Sequence, residues 1–531
     1  MKTLVRGGTV YDGTGAESFT ADVLIEDGII TAVEPGISAD SAEIIEAAGY
    51  AVTPGFIDGH RHCDIAPLTR DDFGDAELAQ GITATVAGNC GLAPVPSSET
   101  SRLEMYDFLE PVTGPIPREI SFGSYSEYKT AIAKAGLPLH MGFMAGAGAI
   151  KTAVKGFVSS PYTAEEITKA AAYVDEAMQA GALGVSLGIM YQPEIFSTAE
   201  EIAAVIRPAA PYNGILCTHI RGEGDSLAES VQEVIRIAAM AEMRLNVSHF
   251  KATGIRNWRS TIYRAIECIE DARAKGQPVT ADFYPYDGGS STMLSLVPPT
   301  VLADGNKAML ERLLTPEGKK HLVREIYRDH PGWDNMVTSI GWDRILISSV
   351  TLPEHAAYSG KTVSKLADEL GYSDPAEFAA ELLAAEHGKT GVIVLSMAQE
   401  DIDDIARLPW TALISDALYG GGDNPHPRHY GAFPKFLREY VMERRILSME
   451  AAVHKMTAMT ADRMGIRNRG RIQPGFRGDV LVFNPDKFTD TATYTVPKKL
   501  SRGMEWVLLE GRTVWHGEKQ NGKKEGKILS L

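Results

Sequence analysis

The chain has 531 residues, 44% of them hydrophobic, and a formal net charge of −17 at pH 7. This length supports a large core in more than one domain, and the charge argues against nucleic acid or an anionic membrane as a partner. The chain has no apolar run of membrane-spanning length, no secretory core at its start and only four cysteines. We therefore expect a cytoplasmic protein with reduced thiols.

Both ends of the chain have the pattern of short strands. Near the N-terminus, "TLVRGGTVYDG" and "ADVLIEDGIITAVEPG" are β-branched runs, and Asp27-Gly28 is a hairpin signal. Near the C-terminus, "GDVLVFNPDKF" and "EWVLLEGRTVWHG" have the same character. We predict a small β-sandwich domain built from both ends, residues 1–54 and 468–531.

Between the ends, strand-like runs alternate with helical patterns, which is typical of βα units and a parallel sheet. A helix is predicted in "TAEEITKAAAYVDEAMQAG", with Thr163 as its N-cap and Gly181 after its end. Eight apolar runs have this strand character: "AVTPGFIDGHRH", "GITATVAGNCG", "PLHMGFMAG", "GALGVSLGI", "GILCTHIRGEG", "RLNVSHFKATG", "PVTADFYPYDGG" and "TALISDALYGG". They predict an α/β fold, a TIM-type (β/α)8 barrel over residues 55–467, with its chemistry at the C-terminal strand ends. The long interval from Tyr284 to Asp416 predicts an inserted lid at about residues 292–345.

Ligand-type side chains stand at the ends of several of these strands. His60 and His62 are two residues apart, so both imidazoles leave a strand on the same side. The second, fifth, sixth and eighth runs contribute Cys90, His219, His249 and Asp416. Each taken alone fits a core histidine or a small buried hydrophobe, but their shared placement favours a metal centre. Imidazole together with thiolate favours zinc over ions that prefer oxygen ligands.

Seven motifs carry a resemblance to a known family. They occur in the order "PGFIDGHRH", "GNCG", "CTHIRGEGD", "VSHFKATG", "FYPYDGGSS", "ISDALYGG" and "PHPRHYGAFP". With them the chain resembles the amidohydrolase superfamily, and within it the D-aminoacylase family (N-acyl-D-amino acid deacylases), over essentially its whole length. "GFIDGHRH" marks only the superfamily. "GNCG" narrows the resemblance, because many relatives bridge their metals with a carboxylated lysine where this family uses a cysteine.

The resemblance implies a role for each matching position. It implies one tight zinc site and a second, weaker metal position, with ligands Cys90, His219 and His249 for the first and His60 and His62 for the second. Asp416 matches the general base, and His62 also supports the developing oxyanion. The groups that hold the substrate's α-carboxylate match Lys251, Tyr284, Ser290 and Arg428. After Asp416 the chain departs from the family: Ala417, Tyr419 and the Gly420–Gly422 run leave the shape of that loop open.

These roles imply zinc-dependent hydrolysis of the amide bond of N-acyl-D-amino acids, a small-molecule substrate, with a homo-oligomer left open. Two alternatives stand beside it. A cyclic-amide hydrolase of the dihydroorotase or hydantoinase type shares the metal chemistry, but Cys90 and the carboxylate-holding groups argue against it. A non-catalytic scaffold is disfavoured because the five ligand-type residues and Asp416 are all intact.

Overall fold

The computed structural model describes residues 1–38, 40–330, 332–420, 422 and 424–531. The chain begins with short strands: β1 (Lys2–Val10), β2 (Phe19–Glu26), β3 (Ile29–Glu34), β4 (Glu43–Glu46) and β5 (Ala51–Pro54). β1 pairs with β2 and β2 with β3, both antiparallel. The predicted hairpin at Asp27-Gly28 is confirmed, and both residues have positive φ (47° and 85°), which tight hairpin turns of this type require.

Parallel strands follow and form most of a barrel wall. They are β6 (Phe56–Asp58), β7 (Ile82–Ala87), β8 (His140–Phe143), β9 (Ala145–Gly146), β10 (Gly184–Gly188), β11 (Ile215–His219), β12 (Arg244–Val247) and β13 (Val279–Phe283). Neighbours pair in parallel, with β8 and β9 acting as one interrupted strand. Most of their residues are buried, because helices cover the outer face and side chains fill the inside.

The helices among these strands are α1 (Ala66–Thr69), α2 (Asp75–Ala79), α3 (Arg102–Thr113), α4 (Tyr125–Ala135), α5 (Ala147–Lys155), α6 (Ala164–Gln179), α7 (Ala199–Ile206), α8 (Leu227–Ala241) and α9 (Thr261–Ala274). The predicted N-cap of α6 is confirmed. Thr163 Oγ1 accepts a hydrogen bond from Glu166 N at 3.2 Å, and Thr163 N donates one to the Glu166 carboxylate. This reciprocal capping box sets where the helix begins.

A second unit interrupts the barrel after β13. It contains strands β14 (Gly288–Thr292), β15 (Ile345–Ser349) and β16 (Gly391–Leu395) and helices α10 (Asn306–Leu313), α11 (Pro316–Ile326), α12 (Met336–Ile340), α13 (Val363–Leu370) and α14 (Pro375–Ala385). β16 pairs antiparallel with both β14 and β15. The unit has its own apolar core, formed by residues between 293 and 394. The predicted lid, residues 292–345, lies within this unit.

The chain then closes the barrel. Helix α15 (Gln399–Arg407) leads to β17 (Thr411–Leu413), which pairs in parallel with β13. A parallel bridge between Arg61 and Ala417 joins the eighth strand position to the first. The predicted eight-stranded barrel is therefore confirmed. Three further helices follow: α16 (Arg428–Phe436), extended by a π-helical turn (Leu437–Glu443), α17 (Met449–Met456) and α18 (Ala458–Met464).

The last strands return to the N-terminal sheet. They are β18 (Val480–Phe483), β19 (Met504–Leu509), β20 (Arg512–His516) and β21 (Lys519–Gln520). β18 pairs antiparallel with β5, so both chain ends share one nine-stranded sheet. We keep the division into 1–54 with 468–531 and 55–467 as a proposal. Across the described ranges, no helix is both long and apolar enough to cross a membrane.

Candidate metal and hydrolytic site

Four donor side chains meet at the C-terminal ends of the barrel strands. Cys90 Sγ lies 3.3 Å from His60 Nε2, 3.6 Å from His249 Nε2 and 4.0 Å from His219 Nδ1. Two groups of possible metal donors share the thiol: Cys90 with His219 and His249, and Cys90 with His60 and His62. All five side chains are buried. The sequence-predicted ligands therefore converge, and the arrangement offers two adjacent metal positions with Cys90 between them.

The donor atoms fit a soft divalent cation. A buried thiol and several imidazole nitrogens within 4.8 Å of one another in each group form the nitrogen and sulfur set that zinc prefers. Burial raises the pKa of the Cys90 thiol well above its ordinary value. A bound cation would favour the thiolate, since a coordinating thiol is deprotonated.

Three residues of the site have left-handed backbone conformations that side-chain-bearing residues rarely adopt. Cys90, His249 and Asp416 have φ values of 55°, 37° and 50°. Neighbouring groups hold two of these turns: Asp282 Oδ1 accepts from His249 N at 2.5 Å, and Asp416 N donates to His60 O at 3.0 Å. Strain of this kind clusters at functional sites, where it aims side chains in fixed directions.

Asp416 lies between the histidines and a cation. Its Oδ1 is 3.4 Å from both His60 Nε2 and His62 Nε2, and its Oδ2 is 2.9 Å from Arg428 Nη2. Burial alone would raise the pKa of Asp416, but Arg428 and His60 outweigh burial and hold that pKa well below its usual value. Asp416 is therefore a carboxylate, the form that can accept a proton.

Three of the four residues predicted to hold the substrate carboxylate line one cavity with the metal donors, and the fourth, Arg428, packs against one of them. The cavity is lined by Lys251, Tyr284 and Ser290 together with Cys90, His219, His249 and Asp416. Arg428 is fully buried behind it, with its guanidinium carbon 4.4 Å from the centre of the Tyr284 ring. Its Nε and Nη1 donors find no hydrogen-bond partner among the described residues.

Lys251, which was predicted to bind the substrate carboxylate, is already paired with a carboxylate of the protein. Its Nζ donates to Glu223 Oε1 at 2.5 Å and lies 2.9 Å from His249 Nδ1. Burial would lower the pKa of Lys251, but the Glu223 carboxylate outweighs burial and raises it. The two cations predicted for the substrate carboxylate thus already face carboxylates of the protein, Glu223 and Asp416.

Several site residues were missed by sequence reasoning. Glu223 stands in the quoted motif "CTHIRGEGD", so its position near His219 was visible but its contact with Lys251 was not. Tyr191 places its hydroxyl 3.4 Å from His219 Nδ1. Apolar side chains complete the described cavity wall: Leu92, Phe108, Val112, Met190, Met336, Val394 and Leu418. Such residues carry no chemical signal in a sequence.

The loop after Asp416, which departs from the family pattern, contacts the residues that follow β6, the first strand of the barrel. Ala417 O accepts from His62 N at 2.9 Å, and the Tyr419 hydroxyl accepts from Arg61 Nε at 2.8 Å and donates to Glu77. Arg61 is fully buried and stands between the two histidines in sequence. Part of the predicted glycine run, Gly421, lies outside the described residues. The described part of the loop therefore fixes the backbone that carries His62.

The chain is similar to known proteins over almost its whole length. Residues 358–515 match the Amidohydrolase family. The chain is 31% identical to N-acyl-D-aspartate deacylase of Alcaligenes xylosoxydans xylosoxydans over 528 residues, covering 99% of this chain and 94% of the relative.

Two solved structures extend the likeness to the fold. One is a D-aminoacylase with a binuclear metal centre, activated by one metal and attenuated by the second, at a TM-score of 0.83 and 30% identity. The other is N-acyl-D-glutamate deacylase of Bordetella bronchiseptica with zinc and a phosphonate mimic of the tetrahedral intermediate, at a TM-score of 0.81 and 28% identity. Each alignment covers 100% of this chain and 99% of the other.

Proposed function

This chain belongs to the amidohydrolase family, among the D-aminoacylases, and from that premise we propose that it hydrolyses the amide bond of N-acyl-D-amino acids. The products are a carboxylic acid and a free D-amino acid. One observation carries the proposal: the five donor side chains converge around Cys90, and four of them line, with the ionised Asp416, a cavity that Lys251 and Tyr284 also line.

We assign the metal positions from the donor set. Cys90, His219 and His249 would hold one zinc ion tightly, and His60 and His62 would supply a weaker second position that shares Cys90. Bound zinc would polarise the scissile carbonyl and acidify a water molecule. The protein's part is to fix these donors, which the strand ends and the three left-handed residues do.

Asp416 is the proposed proton carrier. As a buried carboxylate 3.4 Å from His62 Nε2, it takes a proton from the attacking water and returns that proton to the departing amine nitrogen. Arg428 keeps it ionised before the first transfer. His62 also lines the cavity, where its imidazole supports the oxygen that becomes negative in the transition state.

The substrate's α-carboxylate is assigned to Arg428, Lys251, Tyr284 and Ser290. Arg428 provides unused donors in a rigid fork, and such a fork can hold a carboxylate through two hydrogen bonds. Tyr284 and Ser290 provide hydroxyl groups on the cavity wall. Fixing the carboxylate on one side of the scissile bond also determines which configuration at the substrate Cα can be accommodated. This gives a physical explanation for D selectivity.

The cavity wall suggests which side chains are accepted. Seven of the described lining residues are apolar, and Lys251 is the one lysine or arginine among them. Because Lys251 is already paired with Glu223, a second, acidic group on the substrate would be buried without a partner, which is costly. We therefore propose N-acyl-D-amino acids with uncharged, apolar side chains as preferred substrates.

The remaining proposals concern the protein's surroundings. A net charge of −17 disfavours nucleic acid and anionic membranes, so we propose a small-molecule partner, with a homo-oligomer still open. The cysteines Cys63, Cys90, Cys217 and Cys268 are free thiols, which suits a cytoplasmic location.

The test is a substrate panel assayed for free amine release and for ring opening by the zinc-loaded enzyme. It contains N-acetyl-D-methionine, N-acetyl-L-methionine, N-acetyl-D-aspartate and a hydantoin. We expect turnover of the D-methionine derivative well above that of the L-enantiomer and of the aspartate derivative. Preferential opening of the hydantoin ring would instead favour the cyclic-amide alternative, and no turnover of any substrate would favour the scaffold.

A further inference from the structure

Glu223 contacts two groups of the site at once. It lies in the loop after β11, four residues beyond His219, and is 9% exposed. Its Oε1 is 3.1 Å from His249 Nδ1 and 2.5 Å from Lys251 Nζ. Its backbone is anchored as well, because Thr253 N donates to Glu223 O at 2.7 Å. The carboxylate is therefore held in place between the two side chains.

The proton on His249 must be on the outer nitrogen if this residue is to bind a metal. His249 turns Nε2 toward Cys90 Sγ, at 3.6 Å, and Nδ1 toward Glu223 and Lys251. A neutral imidazole carries one proton, so a lone pair at Nε2 requires the proton at Nδ1. A carboxylate oxygen 3.1 Å from Nδ1 stabilises a proton on that nitrogen and so favours the metal-binding tautomer.

Lys251 favours the opposite tautomer of His249. An ammonium group can only donate, so its approach to His249 Nδ1, at 2.9 Å, favours the tautomer with the proton on Nε2. That tautomer cannot bind a metal through Nε2. Glu223 draws the ammonium toward itself at 2.5 Å, and His249 O offers Lys251 a second acceptor at 3.1 Å.

The other imidazoles of the site have no such partner. His219 turns its outer nitrogen, Nε2, to the thioether of Met190 at 3.1 Å, a weak acceptor. The Nδ1 atoms of His60 and His62 have no hydrogen-bond partner within the described ranges. Among the described residues, His249 is therefore the proposed ligand histidine whose outer nitrogen lies beside a carboxylate, with Glu223 Oε1 at 3.1 Å.

We propose that Glu223 is a positioning residue that favours the metal-binding tautomer of His249 and engages the Lys251 ammonium, which would otherwise favour the opposite tautomer. The proposal rests on the proposed function for the identity of the metal site. The proposal has a second consequence. The negative charge of Glu223 offsets that of Lys251, one of the two cations assigned to the substrate carboxylate. Glu223 therefore raises the affinity for the metal and lowers the affinity for the substrate.

The experiment uses Glu223→Gln and Glu223→Leu with Asp225→Asn as the matched control. Asp225 is two residues away and pairs instead with the exposed Arg256. Zinc affinity of the folded protein is measured by competition with a chelator, without substrate. We expect a loss of about 10- to 100-fold for Glu223→Leu and a smaller one for Glu223→Gln, whose amide oxygen can still accept from Nδ1. Asp225→Asn should match the wild type.

Two further readouts separate positioning from a merely structural role. Adding Lys251→Met to Glu223→Gln removes the competing donor and should restore part of the zinc affinity. At saturating zinc, Glu223→Gln should lower KM for an N-acetyl-D-amino acid, because Lys251 is then unpaired. Wild-type zinc affinity in Glu223→Leu would overturn the tautomer role, and an unchanged or raised KM in Glu223→Gln would overturn the charge trade. Zinc affinity is read without substrate, so failure of the proposed function would show separately, as an inactive wild type.

Discussion

Replacing Asp416 by asparagine tests two roles of this residue: proton transfer during catalysis and the ion pair with Arg428. The amide keeps the size of the side chain but cannot take a proton from water. Losing a positioned general base typically costs about 10²- to 10⁴-fold in rate, or roughly 3–5 kcal/mol of transition-state stabilisation. We expect kcat for N-acetyl-D-methionine to fall by that factor in Asp416→Asn. A loss of less than about tenfold would point to another base.

The same change should also destabilise the fold. Asp416 Oδ2 is 2.9 Å from Arg428 Nη2, and Arg428 is fully buried. Removing one partner of a buried ion pair typically costs about 3–5 kcal/mol. We expect the lower end of this range, because the new amide side chain would remain polar and the Tyr284 ring would still face the guanidinium at 4.4 Å. Urea unfolding of the zinc-loaded variants measures this cost.

A double variant distinguishes the two effects. Adding Arg428→Met to Asp416→Asn removes the stranded charge, so part of the lost free energy of unfolding should return. The rate should not return, because no proton acceptor is restored. Zinc content is measured on each variant, so that metal loss is not mistaken for loss of the base. If the double variant is destabilised by the sum of the two single changes, the ion-pair reasoning is wrong.

Three other predictions follow from the site. Cys90→Ala should lose bound zinc and activity together, measured by metal analysis and amine release; full zinc and rate would contradict the ligand assignment. Arg428→Ala should keep zinc but lower kcat/KM for N-acyl-D-amino acids by about 1.5–3 kcal/mol or more, as for a lost charge-assisted hydrogen bond. The loss should be smaller on a substrate whose carboxylate is amidated, because only the effect on Asp416 remains there. Equal losses on the two substrates, or normal turnover by this variant, would refute the carboxylate assignment. Residues 289–292 and 336 belong to the inserted unit and line the cavity. Their amide hydrogens should exchange more slowly when a slowly hydrolysed substrate binds. Unchanged exchange would count against a lid.

Much of the barrel was predictable because its signal is local. Each strand is a short apolar run, and a polar residue at its end marks the face where parallel strands converge. His60, Cys90, His219 and His249 could therefore be grouped without knowing a single distance. The structure brings the three histidines together around the Cys90 thiol.

What could not be predicted depends on non-local contacts and on backbone conformation. β14 and β16 pair across about a hundred residues, so the extent of the inserted unit has no local mark. The left-handed φ at Cys90 and Asp416 is unusual for side-chain-bearing residues, and nothing in their types signals it. The pairing of Lys251 with Glu223 joins two different strand-end loops, so Lys251 looked free in the sequence.

The central claim is that hydrolysis of an N-acyl-D-amino acid depends on zinc bound at the Cys90, His219 and His249 position. The most direct measurement titrates metal-free enzyme with zinc while following amine release from N-acetyl-D-methionine. We predict that activity rises until about one zinc per chain is bound, and that N-acetyl-L-methionine remains a poor substrate throughout. Full activity in the metal-free enzyme, or equal rates for the two enantiomers at every zinc concentration, would contradict this claim.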